Sequence, residues 1–351
     1  MTKRAPRTQE PLRTRHLFLD TEVYRRAGFN LDNTQFALLA SEVDAGRLVL
    51  HVCDITLAEV QRQLKETVVE KAVAAKRLSR DFNRIAQITG RPNTTVQDVN
   101  GLELADAAWV SFVTKLLGGL NANTIRACDL PAGLIFDRYF AGLPPFDTRS
   151  SKEFPDAFVV ESLARHCKSK EVSMYVVSGD AALRRAAESH GVLIPLHTID
   201  DILAAATAES ETDLAAIVDL VFASPGFDQQ LVDAIEANLD SVDFVYYGPL
   251  TDATVREATL REIIAVDDYS VAAFDGTKIG IILQAIAVLD VKVRFLDEEE
   301  LRDRDDDIIP TELERWLHTD ARLKVYISVD LATLLFKESE LLTRDMVVQA
   351  G

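Results

Sequence analysis

Through the first two hundred residues, short runs of consecutive apolar positions alternate with longer stretches of helical spacing. The run around "LFL" predicts a buried strand over 16–20, and "LVLHVC" (48–53), "VSMYVVS" (172–178) and "VLIPL" (192–196) predict three more. Between them, helical periodicity marks 32–47, 56–85, a stretch near 101–127, 157–170, and 180–191, which Gly191 closes. The loop "AGLPPFDTRSSKEFPD" (141–156) is rich in Pro, Ser and charge. Strands buried on both faces read as unbroken apolar runs, and strand–helix alternation calls for crossover connections. The pattern therefore predicts an α/β unit, a parallel sheet with helices on both faces.

The period then changes. A linker-like stretch, "AAATAESETD" (204–213), leads into helical spacing over 214–240. Alternation follows in 254–266, 270–274, 280–289, 292–296 and 322–331, with Asp-Gly and Asp-Asp pairs as turns. This predicts a smaller α+β domain built mostly of antiparallel strands. The expected organisation is a flexible basic arm (1–14), an α/β domain (15–203), a linker with helices (204–240) and an acidic β-rich domain (241–351). The run "DEEELRDRDDD" (297–307) reads as a solvated connection between strands.

Charge sharpens this division. Residues 1–200 hold 26 Lys and Arg against 24 Asp and Glu, a net +2, whereas 201–351 hold 12 against 32, a net −20. Phosphate is repelled by the second part, so any nucleic acid is expected to bind the first, and the acidic part to meet a protein partner or simply to fold as an acidic module. No apolar run is long enough to cross a bilayer, since "IGIILQAIAVLDV" (279–291) is short and holds Gln284 and Asp290. No hydrophobic stretch follows the basic start, so no signal peptide is expected. Three scattered cysteines (Cys53, Cys128, Cys167) exclude a disulfide framework or zinc ribbon and predict a reducing, cytoplasmic setting.

Ligands of an open parallel sheet collect at the carboxyl ends of its strands, so the polar residues there carry the candidate chemistry. Asp20 ends the first strand, Glu59 opens the helix after the second, Asp156 opens the helix leading to the third, and Asp180 follows that strand. Each has a structural explanation: a Thr56-x-x-Glu59 capping box, helix-start roles for Asp156 and Asp180, and for Asp20 the point where a buried strand meets water. Together they would place four carboxylates on one edge, where they repel one another unless a cation lies between them. Hard oxygen donors without a His/Cys cluster suit Mg2+ or Mn2+. Arg25, Arg26, Arg149, Lys152, Arg184 and Arg185 lie close to these acids in sequence and are candidates for holding a substrate backbone.

The series "LFLDTEV", "TLAEV", "KEFPDAFVVESL" and "YVVSGDAAL" resembles the acid series of PIN-domain nucleases, over about residues 15–200. The "KEFPDAF…VVSGD" part is most similar to a larger bacterial branch with a long insertion before the third acid. The resemblance implies a PIN-like fold with Asp20, Glu59, Asp156 and Asp180 as both catalytic and metal-binding residues. It also implies Mg2+- or Mn2+-dependent endonucleolytic cleavage to 5′-phosphate and 3′-hydroxyl ends, with RNA preferred over DNA. Self-association is a further implication, since many PIN domains dimerise. Two departures stand out: Glu22 where the family often has Asn, and a longer Glu59–Asp156 spacing.

Two rivals follow from the same residues. A catalytically silent PIN-like scaffold would bind RNA or protein but has no use for four clustered acids. A phosphatase with an Asp-x-Asp nucleophile needs Asp where Glu22 stands. The six histidines show no metal-binding spacing, no Gly-rich phosphate loop is present, and Tyr246-Tyr247-Gly248-Pro249 reads as a turn with packing aromatics.

Overall fold

The structure is a computed structural model, and it describes residues 2–3, 11–90, 100–127, 130–146, 153–208, 213–296 and 312–349. The chain divides into two compact units: Leu12–Ile202, and Leu203–Gly351 together with Met1–Pro11. Strand β1 (Thr2–Lys3) belongs to the second unit.

The first unit runs β2 (His16–Leu19), α1 (Thr21–Arg26), α2 (Thr34–Asp44), β3 (Val49–Cys53), α3 (Asp54–Thr89) and α4 (Gly101–Thr114). It continues with β4 (Asn123–Ile125), α5 (Ala132–Phe140), α6 (Phe154–Lys170), β5 (Met174–Val177), α7 (Ala181–Glu188), β6 (Leu193–Leu196) and the start of α8 (Ile199–Thr207). All five strands are parallel, in the order β4-β3-β2-β5-β6. The chain therefore builds outward one way from β2 and the other way from β5. The gap between those two strands is the switch point where such sheets bind ligands.

Alternation along each strand decides its packing. Phe18, Cys53, Met174 and Val176 join Val160, Leu163 and Ala164 of α6 and Leu183 and Ala186 of α7 in one core. Leu17, Leu19, Leu50 and Val52, pointing the other way, are equally buried. On α1, buried Tyr24 stacks on Phe36 of α2 at 5.8 Å and meets the edge of Phe112 of α4 at 5.6 Å. Asn33 caps α2 by accepting from the Phe36 N–H, and Gly90 closes α3 at φ +66°, a conformation a side chain would strain.

Two expectations are corrected here. The helical reading of 101–127 is too long: α4 ends at Thr114, a π-helical turn spans Lys115–Gly119, and 123–125 form edge strand β4. Three residues are too few to show a period of two beside a helix. The linker-like stretch also starts later than 204, because the alanines of 204–206 and Thr207 complete α8.

The second unit carries α9 (Leu214–Phe222), α10 (Phe227–Glu236), β7 (Asp243–Tyr247), β8 (Thr251–Phe274), β9 (Lys278–Leu296), β10 (Glu312–Asp330), β11 (Leu335–Leu341) and β12 (Asp345–Gln349). Strands β8 to β11 form an antiparallel meander, β1 lies parallel beside β8 through Thr2↔Ala265 and Lys3↔Val266, and β7 pairs with β12. The apolar stripes of the two helices, Val218, Val221 and Phe222 on α9 and Phe227, Leu231 and Ile235 on α10, enter one core with Ile281, Leu283, Leu323 and Val325. The expected Asp275-Gly276 turn is present: Gly276 adopts φ +87° and the Asp275 carboxylate accepts from the Thr277 and Lys278 N–H groups. Asp267-Asp268 is not a turn. It lies within β8, where the register shifts between Val266 and Asp268, so the two predicted strands are one. The charge run 297–307 lies outside the described residues.

Candidate active site

Four elements deliver four acids to one place. Asp20 follows β2, and its N–H donates to the Val177 carbonyl of β5 at 3.0 Å, which fixes it across the switch point. Asp180 follows β5 and caps α7, accepting from the Ala182 and Leu183 N–H groups at 2.5 and 3.2 Å. Glu59 projects from the second turn of α3, and Asp156 from the first turn of α6. All four line one open cleft of about 470 Å³, with Thr21, Glu22, Arg25 and Gln63.

The capping-box explanation of Glu59 fails, because α3 begins at Asp54 with Cys53 as its cap, which puts Thr56 inside the helix. The Glu59 carboxylate instead accepts from the Thr21 hydroxyl at 2.9 Å and the Gln63 amide at 3.0 Å. Asp20 is held as firmly, by the Thr21 N–H at 2.7 Å and the Ser178 hydroxyl at 2.7 Å. Ser178 also accepts from the Asp180 N–H at 3.0 Å, so one hydroxyl links two of the acids. Sequence reasoning missed Ser178 and Gln63. Gln63 stands one helical turn after Glu59, the single local signal that pointed to it.

The electrostatics are unfavourable as they stand. Burial pushes the Asp156 carboxyl up to about 8, and the charges of Asp20, Glu153, Glu59 and Asp180 push the same way. Burial raises Asp20 to about 6 against the opposing bonds from Ser178 and Thr21, with Glu59 and Glu22 adding to the rise. Beside Glu59, the side-chain amide oxygen of Gln63, Oε1, is buried and has no hydrogen-bond partner among the described residues. Among those residues, no three acids, histidines or cysteines converge tightly enough to enclose an ion. The donor set still fits a hard divalent cation: carboxylates, an orphaned amide oxygen and mutual repulsion that positive charge would cancel.

The expected cationic partners divide. Arg25 lines the cleft. Arg184 donates to the Ser178 carbonyl at 2.6 Å, bracing the loop that carries Asp180. Arg26 pairs with Glu22 at 2.5 Å, and the Glu22 carboxylate packs so closely on Gly179 that a Cβ there would collide with it. Arg149 and Lys152 lie outside the described residues.

Compared with known families, residues 17–182 match the PIN domain, a span that runs from β2 into α7 and contains all four acids. The N-terminal unit belongs to the PIN-domain family. PIN domains are commonly metal-dependent nucleases and typically bind nucleic acid. No curated protein and no solved structure matches the chain significantly. The match to the PIN domain stops before the second unit, whose antiparallel sheet is an addition to it. No helix among the described residues is long and apolar enough to cross a membrane.

Proposed function

We propose that the PIN domain is a metal-dependent endonuclease that hydrolyses phosphodiester bonds, RNA in preference to DNA, leaving 5′-phosphate and 3′-hydroxyl ends. One observation carries this reading: four carboxylates from four elements are kept on one cleft at the switch point, at an electrostatic cost that packing alone does not require.

Asp20, Glu59, Asp156 and Asp180 would hold Mg2+ or Mn2+. A bound divalent ion supplies a water of lowered pKa and neutralises charge on the phosphate. The chain does the rest by positioning. Thr21 grips both Asp20 and Glu59, Ser178 ties Asp20 to the Asp180 loop, and Gln63 orients Glu59 from the next turn. Arg25 at the cleft wall offers a cation to a substrate phosphate. Its burial and like-charged neighbours leave Asp156 holding a proton near neutrality when no cation is present. The acidic second unit is assigned to a protein partner or to self-association, and the cytoplasm is the assigned compartment.

End-labelled single-stranded RNA and DNA, incubated with Mn2+ or Mg2+ and with EDTA as control, test this directly. Metal-dependent products bearing 5′-phosphates are expected. Asp20→Asn is expected to lower the rate by more than the roughly 100-fold that loss of a group supporting a metal ligand costs. Cleavage unchanged in Asp20→Asn would overturn the assignment. Folded, metal-loaded protein that binds RNA without cutting it would establish the scaffold instead.

A further inference from the structure

The helix that supplies Glu59 and Gln63 does not stop at the cleft. α3 has 36 residues, about 54 Å at ~1.5 Å per residue, and α4 begins opposite Ala72, where a Cβ on Gly101 would stand 3.3 Å from the Ala72 Cβ. Beyond Ala72, the helix buries Ala86 alone. This distal part, 71–89, is the reverse of the chain as a whole in charge. It holds Lys71, Lys76, Arg77, Arg80 and Arg84 against Asp81, in a protein of net charge −18.

Helical phase connects this patch to the cleft. Arg77 is 18 residues beyond Glu59, and at ~3.6 residues per turn that is about five whole turns, so both lie on one line about 27 Å apart. Arg80 and Arg84 lie to one side of the same line, by about 60° and about 20°, Arg84 about 38 Å from Glu59. All three arginines are exposed; Arg84 shares its charge with Asp81 at 3.6 Å, and Arg80 makes a long 3.4 Å contact to the Lys76 carbonyl. Between cleft and patch, the cations Arg62 and Lys65 are paired with Glu66 at 3.0 Å and Asp106 at 2.6 Å, and Glu66 and Glu70 on the line itself repel a phosphate. The two contact points are therefore separate.

Resting on the nuclease reading above, we infer that Arg77, Arg80 and Arg84 form a second anchor for the phosphate backbone of a single strand whose other part lies in the cleft. The substrate class is then an extended single-stranded nucleic acid rather than a short oligonucleotide. At about 3.4 Å per stacked nucleotide, four nucleotides span about 14 Å and fall short of the anchor, whereas twenty span about 68 Å and reach it.

Fluorescence anisotropy with the full chain in EDTA separates this from catalysis. The probes are labelled single-stranded RNAs of about four and about twenty nucleotides. The triple variant Arg77→Glu, Arg80→Glu, Arg84→Glu is compared with wild type, with a triple Arg→Gln variant of matched melting temperature guarding against misfolding. For the long RNA, binding at least about tenfold weaker is expected, and a log–log salt slope shallower by about 2, for three single-strand contacts at ~0.7 each. Affinity for the short RNA is expected to be unchanged. Equal affinity of variant and wild type for the long RNA, or the same loss at both lengths, overturns the anchor. So does loss of binding to phosphatidylserine vesicles with RNA affinity intact, which would make the exposed Leu78, Phe82 and Ile85 beside the arginines part of a membrane-surface helix. If no metal-dependent cutting occurs with either RNA, the nuclease reading falls, while the anisotropy still decides the anchor.

Discussion

Asp156 bears the heaviest electrostatic load in the cleft, and its pH behaviour exposes its role. Its carboxyl sits at about 8 in the folded protein against 3.8 as a free group, so between those values the folded state holds a proton that the unfolded state releases. In EDTA its contribution to stability is greatest below pH 4 and declines as pH rises toward 8. Asp156→Asn removes that decline, and at pH 8 the metal-free variant is expected to melt about 3 °C or more above wild type. A lower melting point would mark Asp156 as a structural acid. His51 has the opposite sign. Burial, then His16 and His166, lower it to about 4; its Nε2 lies 2.9 Å from His16 Nδ1, and its ring 5.3 Å from that of His166. The stability it supports is complete above pH 6.5 and lost as pH falls toward 4. Denaturant titrations from pH 7 to 4.5 should show a shallower loss in His51→Phe than in wild type. Ser178→Ala, which frees Asp20 on one side, is expected to weaken Mn2+ binding about 10- to 100-fold with little change in melting temperature. Asp20 and Asp180 were readable in the sequence because a carboxylate just after an apolar strand is locally anomalous, and Glu59 and Asp156 because they stand near the starts of helices next to such strands. Ser178 and Gln63 were not, because their roles are set by distances across strands and turns.

At the scale of elements, long uniform signals were legible and interrupted ones were not. The amphipathic pattern over 56–85 marked α3, which the structure extends to Asp54–Thr89. The four parallel strands expected from apolar runs are present, while three-residue β4 hid at the end of a helical pattern. In the second unit, β8 and β9 each looked like two strands, because Asp267-Asp268 and Asp290 break the alternation of apolar residues. Pairing to a neighbour carries the strand through these points: Asp268 stands opposite Gln284, and Asp290 pairs with His318 and approaches Arg261 on the adjacent strands. Cross-strand partners supply what local pattern lacks. The core below is conventional. Leu323, fully buried in the middle of β10, is expected to cost about 2–5 kcal/mol when cut to Ala, read as a lower denaturant midpoint for loss of β-sheet circular dichroism. A loss under about 1 kcal/mol would mean that the β9–β10 packing is not the core of this unit.

At the scale of the molecule, charge and chemistry are divided between the two parts of the chain. The PIN domain lies in the nearly neutral part, +2 over residues 1–200, and the added unit in the part with −20 over 201–351. An acidic surface of that size attracts divalent ions without any site, so metal uptake alone decides nothing. One substitution does. Isothermal titration of Mn2+ into full-length wild type and Asp156→Asn, beside melting curves at the same ion concentrations, changes one of 56 acids and leaves the diffuse field intact. A saturable site is expected in wild type, with a melting temperature that climbs as the site fills, and loss of both in the variant. Indistinguishable isotherms and equal melting shifts in the two proteins would contradict it, leaving the four carboxylates as neighbours on a cleft with no common ion.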